Sequence, residues 1–262
     1  SSHLVVRPGR VGRGGFTDSS AHRADLPAVY NRYAFTAHDP SFSGEQEDLQ
    51  VLYRPLFFTS FMLADFLGDN DLFGADQIVV SSASSKTAYG TAFCLGLGEL
   101  HPKQIALTSA SNVDFTNSLG CYDEVVSYDD LETIPTGIAT SYVDVAGNQS
   151  LRVRMHQHLG EHLVYDAAVG AAHMEEAIGQ TPDGPGPIPQ FFFAPAQIQK
   201  RRADWGPGGV EKRYAEVWRE FVPKLKTWVE VKESAGPDGL SAAWLDVLSG
   251  QTDPKTGLVI AL

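Results

Sequence analysis

Short apolar runs alternate along the middle of the chain with stretches of helical period. Residues 78–80, 105–107, 124–126, 141–145 and 163–169 read as strands. Between them, 87–97 and 112–119 carry helical spacing, and Ser150 is placed to cap a helix running to Leu159. Asn112 suits an N-cap, while Gly120 and Gly160 stand just past two helix ends. Strands alternating with helices of this length predict an α/β fold with a parallel, doubly wound sheet. Upstream, 54–67 has the spacing of a buried helix, with Gly68 as its stop. Downstream, 181–189 is dense in Pro and Gly and reads as a loop, leading into an aromatic edge strand at 190–195. A helix at 210–221, a strand at 227–231, a helix at 240–248 and a closing strand at 257–262 follow. Residues 1–50 are turn-rich and predict no regular element, resembling the closing part of something larger.

Composition narrows the class without naming it. Of 262 residues, 43% are hydrophobic and 20% charged, which is a folding composition rather than a disordered one. A formal charge of −12 argues against nucleic acid or an anionic membrane as partner. Cys94 and Cys121 match no zinc spacing and make no disulfide framework, so a reducing, cytoplasmic setting is expected. Asp65 interrupts the apolar stretch 57–67, and no stretch reaches the length of a membrane span. The chain opens on serine with no signal pattern, and a processed, tagged or incomplete start is expected.

The chemistry concentrates at 77–92. The apolar run Ile78, Val79, Val80 gives way to Ser81, Ser82, Ala83, Ser84, Ser85, Lys86 and Thr87, and then to a helix. A strand ending in a tight turn that opens a helix aims free N–H groups at the turn, where they favour an anion. A second strand tip, Thr108, Ser109 and Ser111, is also hydroxylated and lacks the carboxylate that selects NAD over NADP. A plain turn with a serine N-cap is the simpler alternative. A degenerate Walker loop ending at Lys86 and Thr87 lacks glycine at Val80 and Ser85.

The stretch 54–170 resembles the nucleotide-binding half of the zinc-free medium-chain dehydrogenase/reductase superfamily, of quinone-oxidoreductase and enoyl-reductase type. The residues carrying the resemblance are 79–88 at the phosphate loop, 107–112 with 118–129, 142–148, 168–170 and the closing 254–260. More narrowly, 82–88, 30–33, 54–56 and 191–195 resemble a branch of that superfamily recorded as a domain of unknown function. The resemblance implies a Rossmann sheet with the remnant of a second, mostly β, GroES-like domain. Residues 1–53 would be the truncated catalytic domain, 54–195 the dinucleotide domain, and 196–262 a segment returning to the first. The activity implied is NADPH-dependent reduction of a polarised C=C or C=O bond of a small-molecule substrate. A non-catalytic nucleotide-binding or assembly subunit is the alternative, favoured by the substituted glycines and the shortened barrel.

On that resemblance Ser84, Ser85, Lys86 and Thr87 hold the pyrophosphate, and Thr108, Ser109 and Ser111 the 2′-phosphate. Gly147 and Asn148 border the cofactor, with Val169 and Gly170 beside its ring. The backbone can still approach a diphosphate if the phosphate-loop serines avoid positive φ, and their hydroxyls could donate to it. Catalytic candidates are Tyr30, Thr59 and His173, each with a bland competitor: aromatic packing, a hydroxyl bonded to its own helix, and a surface histidine. His158 and His162 flank Glu161 in an inverted zinc-protease pattern, but Gly160 stops the helix that such a site requires, so no metal is expected. Phe191, Phe192 and Phe193 read as sheet core or a subunit seam, and a homodimer is expected.

Overall fold

The computed structural model describes residues 4–26, 28–169, 185–249 and 252–261. The chain divides into two units, Pro55–Gln197 and the pair Ser1–Arg54 with Ile198–Leu262.

In the second of these, β1 (Pro8–Gly12), β2 (Gly15–Asp18) and β3 (Arg32–Ala34) form an antiparallel sheet where no regular element is predicted. These strands are short and mostly unburied, so they carry no period-two alternation to read. Gly15 is required there: at φ +150°, a Cβ would lie 1.9 Å from the Tyr33 carbonyl oxygen.

Helix α1 (Glu47–Asp69) starts seven residues before the sequence spacing indicates, because Glu47 and Asp48 suit the positive end of its dipole. Gly68 does not stop it. The chain then turns through Asp71, Leu72 and Phe73 at φ 50°, 51° and 58°. L-residues rarely hold three such angles in a row. Here Leu72 is buried, its carbonyl accepts from Ser141 Oγ at 2.9 Å, and Phe73 stacks on Tyr165 at 3.6 Å.

The Pro55–Gln197 unit is built on β4 (Gln77–Ser81), α2 (Lys86–Gly96), β5 (Lys103–Thr108), α3 (Val113–Leu119) and β6 (Glu124–Ser127). β7 (Thr140–Asp144), α4 (Gln149–Leu159), β8 (Leu163–Ala168) and β9 (Gln190–Phe191) complete it. The six strands are parallel in the order β6-β5-β4-β7-β8-β9. Val79, Ile105, Leu107, Tyr142 and Met155 share one buried cluster of the core. Helices on a parallel sheet bury its strands on both faces, which is why those strands read as continuous apolar runs. The chain steps outward from β4 to β6, then returns to β7 on the other side of β4. That reversal opens a crevice at the carboxyl ends of β4 and β7. β9 lies at the sheet edge and is shorter than the predicted strand, since Ala194 already begins α5 (Ala194–Trp205).

Two caps differ from expectation. Asn148, not Ser150, caps α4, its Oδ1 accepting from Leu151 N–H at 3.1 Å. The Asn112 side chain leaves α3 uncapped and donates to Ser84 Oγ instead.

The remaining elements are α6 (Gly209–Trp228), β10 (Glu230–Ala235), α7 (Gly236–Leu248) and β11 (Thr256–Ala261), with β10 and β11 parallel. The predicted strand at 227–231 begins late because α6 continues through Trp228. The Trp228 ring lies 5.9 Å from Phe221, and Phe221 lies 6.2 Å from Trp218.

Candidate functional site

The turn between β4 and α2 is held by its own neighbours, residue by residue. Ser81 is fully buried; its Oγ donates to Asp144 Oδ1 at 2.8 Å and accepts from Val145 and Ala146 N–H at 3.0 Å each. Ser82 adopts φ +51°, so the condition that the loop serines avoid positive φ is not met there, and its N–H donates to the Tyr128 hydroxyl at 3.0 Å. Its side chain pays the left-handed penalty that glycine avoids at the tight turn of such loops. Ala83 donates its N–H to the Leu107 carbonyl, and its own carbonyl accepts from the Tyr122 hydroxyl at 3.0 Å. Ser84 Oγ accepts from Asn112 Nδ2 at 3.1 Å and, more weakly, from Thr108 Oγ1 at 3.4 Å. Ser85 is the N-cap of α2, its Oγ facing Ala88 N–H at 3.4 Å. Lys86 and Thr87 follow as the first two helical residues, so the positive end of the α2 dipole faces the turn.

Burial pushes the half-buried Lys86 ammonium below its ordinary range. Burial also raises the Tyr128 phenol, with Asp144 adding to the shift, and raises the Tyr122 phenol well above its usual value. Both tyrosines therefore meet the loop as neutral hydroxyls.

Beneath the crevice lies a buried ionic cluster. Arg152 Nη2 is 2.6 Å from Asp144 Oδ2, and Arg152 Nε is 3.2 Å from Asp166 Oδ2. The guanidinium meets both carboxylates as an ion pair rather than through aligned hydrogen bonds. His156 Nε2 lies 2.8 Å from the same Asp166 oxygen. Burial pushes the Asp144 carboxyl up, while Arg152, Ser81 and the Gly147 N–H pull against that shift.

The sequence-derived candidates fall at several places. Ser84, Ser85, Lys86 and Thr87 lie at the crevice mouth. Thr108 is buried at the β5 tip and its hydroxyl serves Ser84, whereas Ser111 is exposed, with its hydroxyl 3.2 Å from that of Ser109. Gly147, at φ +65°, donates its N–H to Asp144 Oδ1 at 3.0 Å, and Asn148 follows as the α4 cap. Val169 N–H donates to the Asp144 carbonyl at 2.9 Å, just beyond β8. Gly170 and His173 lie outside the described residues. Thr59 Oγ1 donates to the Pro55 carbonyl of its own helix at 3.0 Å, and Tyr30 is exposed in the other unit. Among the described residues no group of His, Cys, Asp and Glu is arranged to hold a metal ion. α4 ends at Leu159, and His158 Nε2 lies 2.8 Å from the Ile134 carbonyl oxygen. No described helix is long and apolar enough to cross a membrane.

Sequence reasoning passed over Tyr122, Tyr128 and the ionic cluster. The cluster left a signal: Asp144 closes the run Tyr142, Val143, Asp166 interrupts an otherwise apolar strand, and Arg152 and His156 stand one helical turn apart. Buried carboxylates require a cationic partner, and i,i+4 positions share a helix face.

The strand order, its reversal beside β4 and the helix that opens there define a Rossmann-type α/β domain. Within that class, the chain belongs to the family described as "Protein of unknown function (DUF2855)", whose model matches residues 1–253. No curated protein matches the sequence. Among solved structures, the CurK enoyl reductase is similar at 15% identity and TM-score 0.52, covering 90% of this chain and 67% of that one. TarJ of S. aureus, solved with NADPH, is similar at 14% identity and TM-score 0.51, covering 78% and 62%. CurA of Vibrio vulnificus, also solved with NADPH, shows 15% identity and TM-score 0.49, covering 78% of this chain and 61% of its own. The chain thus spans about three fifths of the length of such structures as CurA and TarJ.

Proposed function

We propose that the chain is an NADPH-dependent oxidoreductase that reduces a polarised C=C or C=O bond of enone, quinone or enoyl type. The observation carrying this reading is the N-terminus of α2, with Ser84, Ser85, Lys86 and Thr87, placed at the reversal between β4 and β7. The likeness to TarJ, solved with NADPH, and to the CurK enoyl reductase supports the same choice.

The residues fit a diphosphate at the helix end of the turn. Ser84 Oγ already accepts from Asn112 and Thr108, which leaves its own proton to donate outward. Ser85 Oγ, facing Ala88 N–H, is in the same position. The ammonium of Lys86 adds charge where the helix dipole is positive. Ser109 and Ser111 would take the 2′-phosphate, with Thr108 orienting Ser84 from below. Gly147 and Asn148 would border the cofactor, and Val169 and Gly170 its ring. When bound, the reduced nicotinamide supplies hydride. Tyr30, Thr59 and His173 are the proposed donors to the enolate or alkoxide that develops. Thr59 serves only if its hydroxyl turns from the Pro55 carbonyl.

A second reading is a nucleotide-binding subunit without catalysis. It is favoured by the turn itself, since Tyr128, Leu107 and Tyr122 engage the backbone of Ser82 and Ala83. Titration of the protein with NADPH and NADH, followed by the cofactor's own fluorescence, tests both. NADPH binding with turnover of an enone or quinone supports the reductase; binding without turnover supports the subunit; no binding removes both. The homodimer belongs to this reading, with edge strand β9 and the exposed Phe193 as its proposed seam.

A further inference from the structure

We propose that His156 is a buried imidazolium acting as a positioning residue, its charge coupled through Asp166, Arg152 and Asp144 to the two turns that form the crevice. The geometry of its two ring nitrogens carries the assignment. Nε2 lies 2.8 Å from Asp166 Oδ2 and Nδ1 lies 3.1 Å from the Pro185 carbonyl oxygen. A carbonyl and an ionised carboxylate accept hydrogen bonds and do not donate them. A neutral imidazole has one N–H and one lone pair, so one of these contacts would set a lone pair against an oxygen. With both nitrogens protonated, both contacts are donors. Arg152 Nε, 3.2 Å from the same Asp166 oxygen, sets a second cation beside that carboxylate.

Charge balance gives the same answer. The side chains of Asp144, Asp166, Arg152 and His156 are 0%, 0%, 3% and 1% exposed. With His156 charged, two anions face two cations and the cluster is neutral. Without that proton a net negative charge stays in the interior, at a large desolvation penalty. Among the described residues, the ionisable groups facing the ring are Asp166 of β8 and Arg152 of its own helix, with Asp144 and the neutral phenol of Tyr142, both on β7, one step beyond. Gly186 is shaped to the ring as well. It holds φ +108°, and a Cβ there would sit 3.1 Å from His156 Nδ1.

The coupling path is short. Arg152 precedes His156 by one helical turn and reaches Asp144 at 2.6 Å. Asp144 Oδ1 accepts from Ser81 Oγ and Gly147 N–H, and Ser81 Oγ accepts from Val145 and Ala146 N–H. The end of β4 and the turn after β7 are therefore tied to one buried charge balance. The consequence for dinucleotide binding rests on the function proposed above; the protonation of the ring does not.

The test uses the full chain with 15N-labelled histidine. At neutral pH the His156 ring should show two protonated nitrogens, and a single protonated nitrogen would overturn the assignment. Asp166→Asn should remove one of those protons and speed amide exchange at Val145 and Ala146 by about tenfold, the loss of one buried hydrogen bond, although residue 166 touches neither amide. Unchanged exchange would overturn the coupling. Should that variant not fold, His156→Gln, which removes the charge without touching either amide, should give the same faster exchange at Val145 and Ala146, and unchanged exchange there would likewise overturn the coupling. NADPH should bind Ser81→Ala about tenfold more weakly and Ser81→Thr as the wild type does. Equal affinity in Ser81→Ala would refute the positioning role. A doubly protonated ring in a wild type that binds no NADPH upholds the charge assignment and removes the dinucleotide reading.

Discussion

Replacing Ser82 by glycine should stabilise the Pro55–Gln197 unit. Ser82 holds φ +51° at the end of β4, and the left-handed region costs an L-residue about 1–2 kcal/mol. Glycine escapes that strain but gives back about 0.5–1 kcal/mol through its freer unfolded chain. The net gain is about 0–1.5 kcal/mol, centred at ~0.75, which is roughly a three- to fourfold rise in protection against global opening. The Ser82 N–H bond to Tyr128 survives the change, because it uses the backbone. Ser82→Ala is the control: it removes the same hydroxyl and keeps the strain. All four tryptophans stand at 205, 218, 228 and 244, outside this unit, so their fluorescence reports the other unit. Amide exchange of β4 and β5 is the direct assay. Equal protection in the glycine and alanine variants would show that φ at this turn stores no strain, and the reasoning would fall. The glycine variant should also bind NADPH more tightly, since a bare backbone lets the diphosphate approach.

Three further outcomes are expected. Burial holds the Lys86 ammonium below its ordinary range, so it loses its proton earlier than a solvated lysine as pH rises; NADPH affinity should fall through that step. Lys86→Gln should bind about tenfold more weakly at neutral pH and show no such step in a pH titration. Arg152→Ala leaves Asp144 and Asp166 facing His156 alone and should cost about 3–5 kcal/mol in urea unfolding followed by circular dichroism. That deficit should narrow on acidification, because burial already raises the Asp144 carboxyl and its protonation removes the uncompensated charge. Gly90→Ala would set a Cβ 2.7 Å from Ser60 Oγ and 3.1 Å from Phe57 Cδ2. Separating α1 from α2 should cost about 1–3 kcal/mol, measured by the same unfolding.

The central sheet was legible because its strands are buried on both faces and its helices on one. Ile78–Val80 and Ile105–Leu107 could only be interior strands, and the glycines at 120 and 160 ended helices where left-handed φ was needed. The antiparallel sheet of β1 to β3 was not legible, since its strands are short, rich in Gly and Arg, and half solvated. The sequence spacing puts the stop at Gly68, whereas nothing blocks α1 from running one residue further to Asp69. The caps are not legible for a related reason: Asn112 and Asn148 are chemically equal as caps, and only the position of Ser84 decides that Asn112 turns away.

From residue order alone came the parallel α/β class, the hydroxyl-rich turn that opens α2, and the weight placed on Ser84 to Thr87. These depend on period and local backbone preference, which neighbours in sequence carry. Folding decided the rest: the left-handed angle at Ser82, the tyrosine hydroxyls on the Ser82 and Ala83 backbone, and the charge cluster under the crevice. Tyr128 lies 46 residues from Ser82, and Asp144 lies 63 from Ser81. A hydrogen bond or ion pair acts over a few ångströms of space whatever the separation along the chain, so no local pattern can announce it.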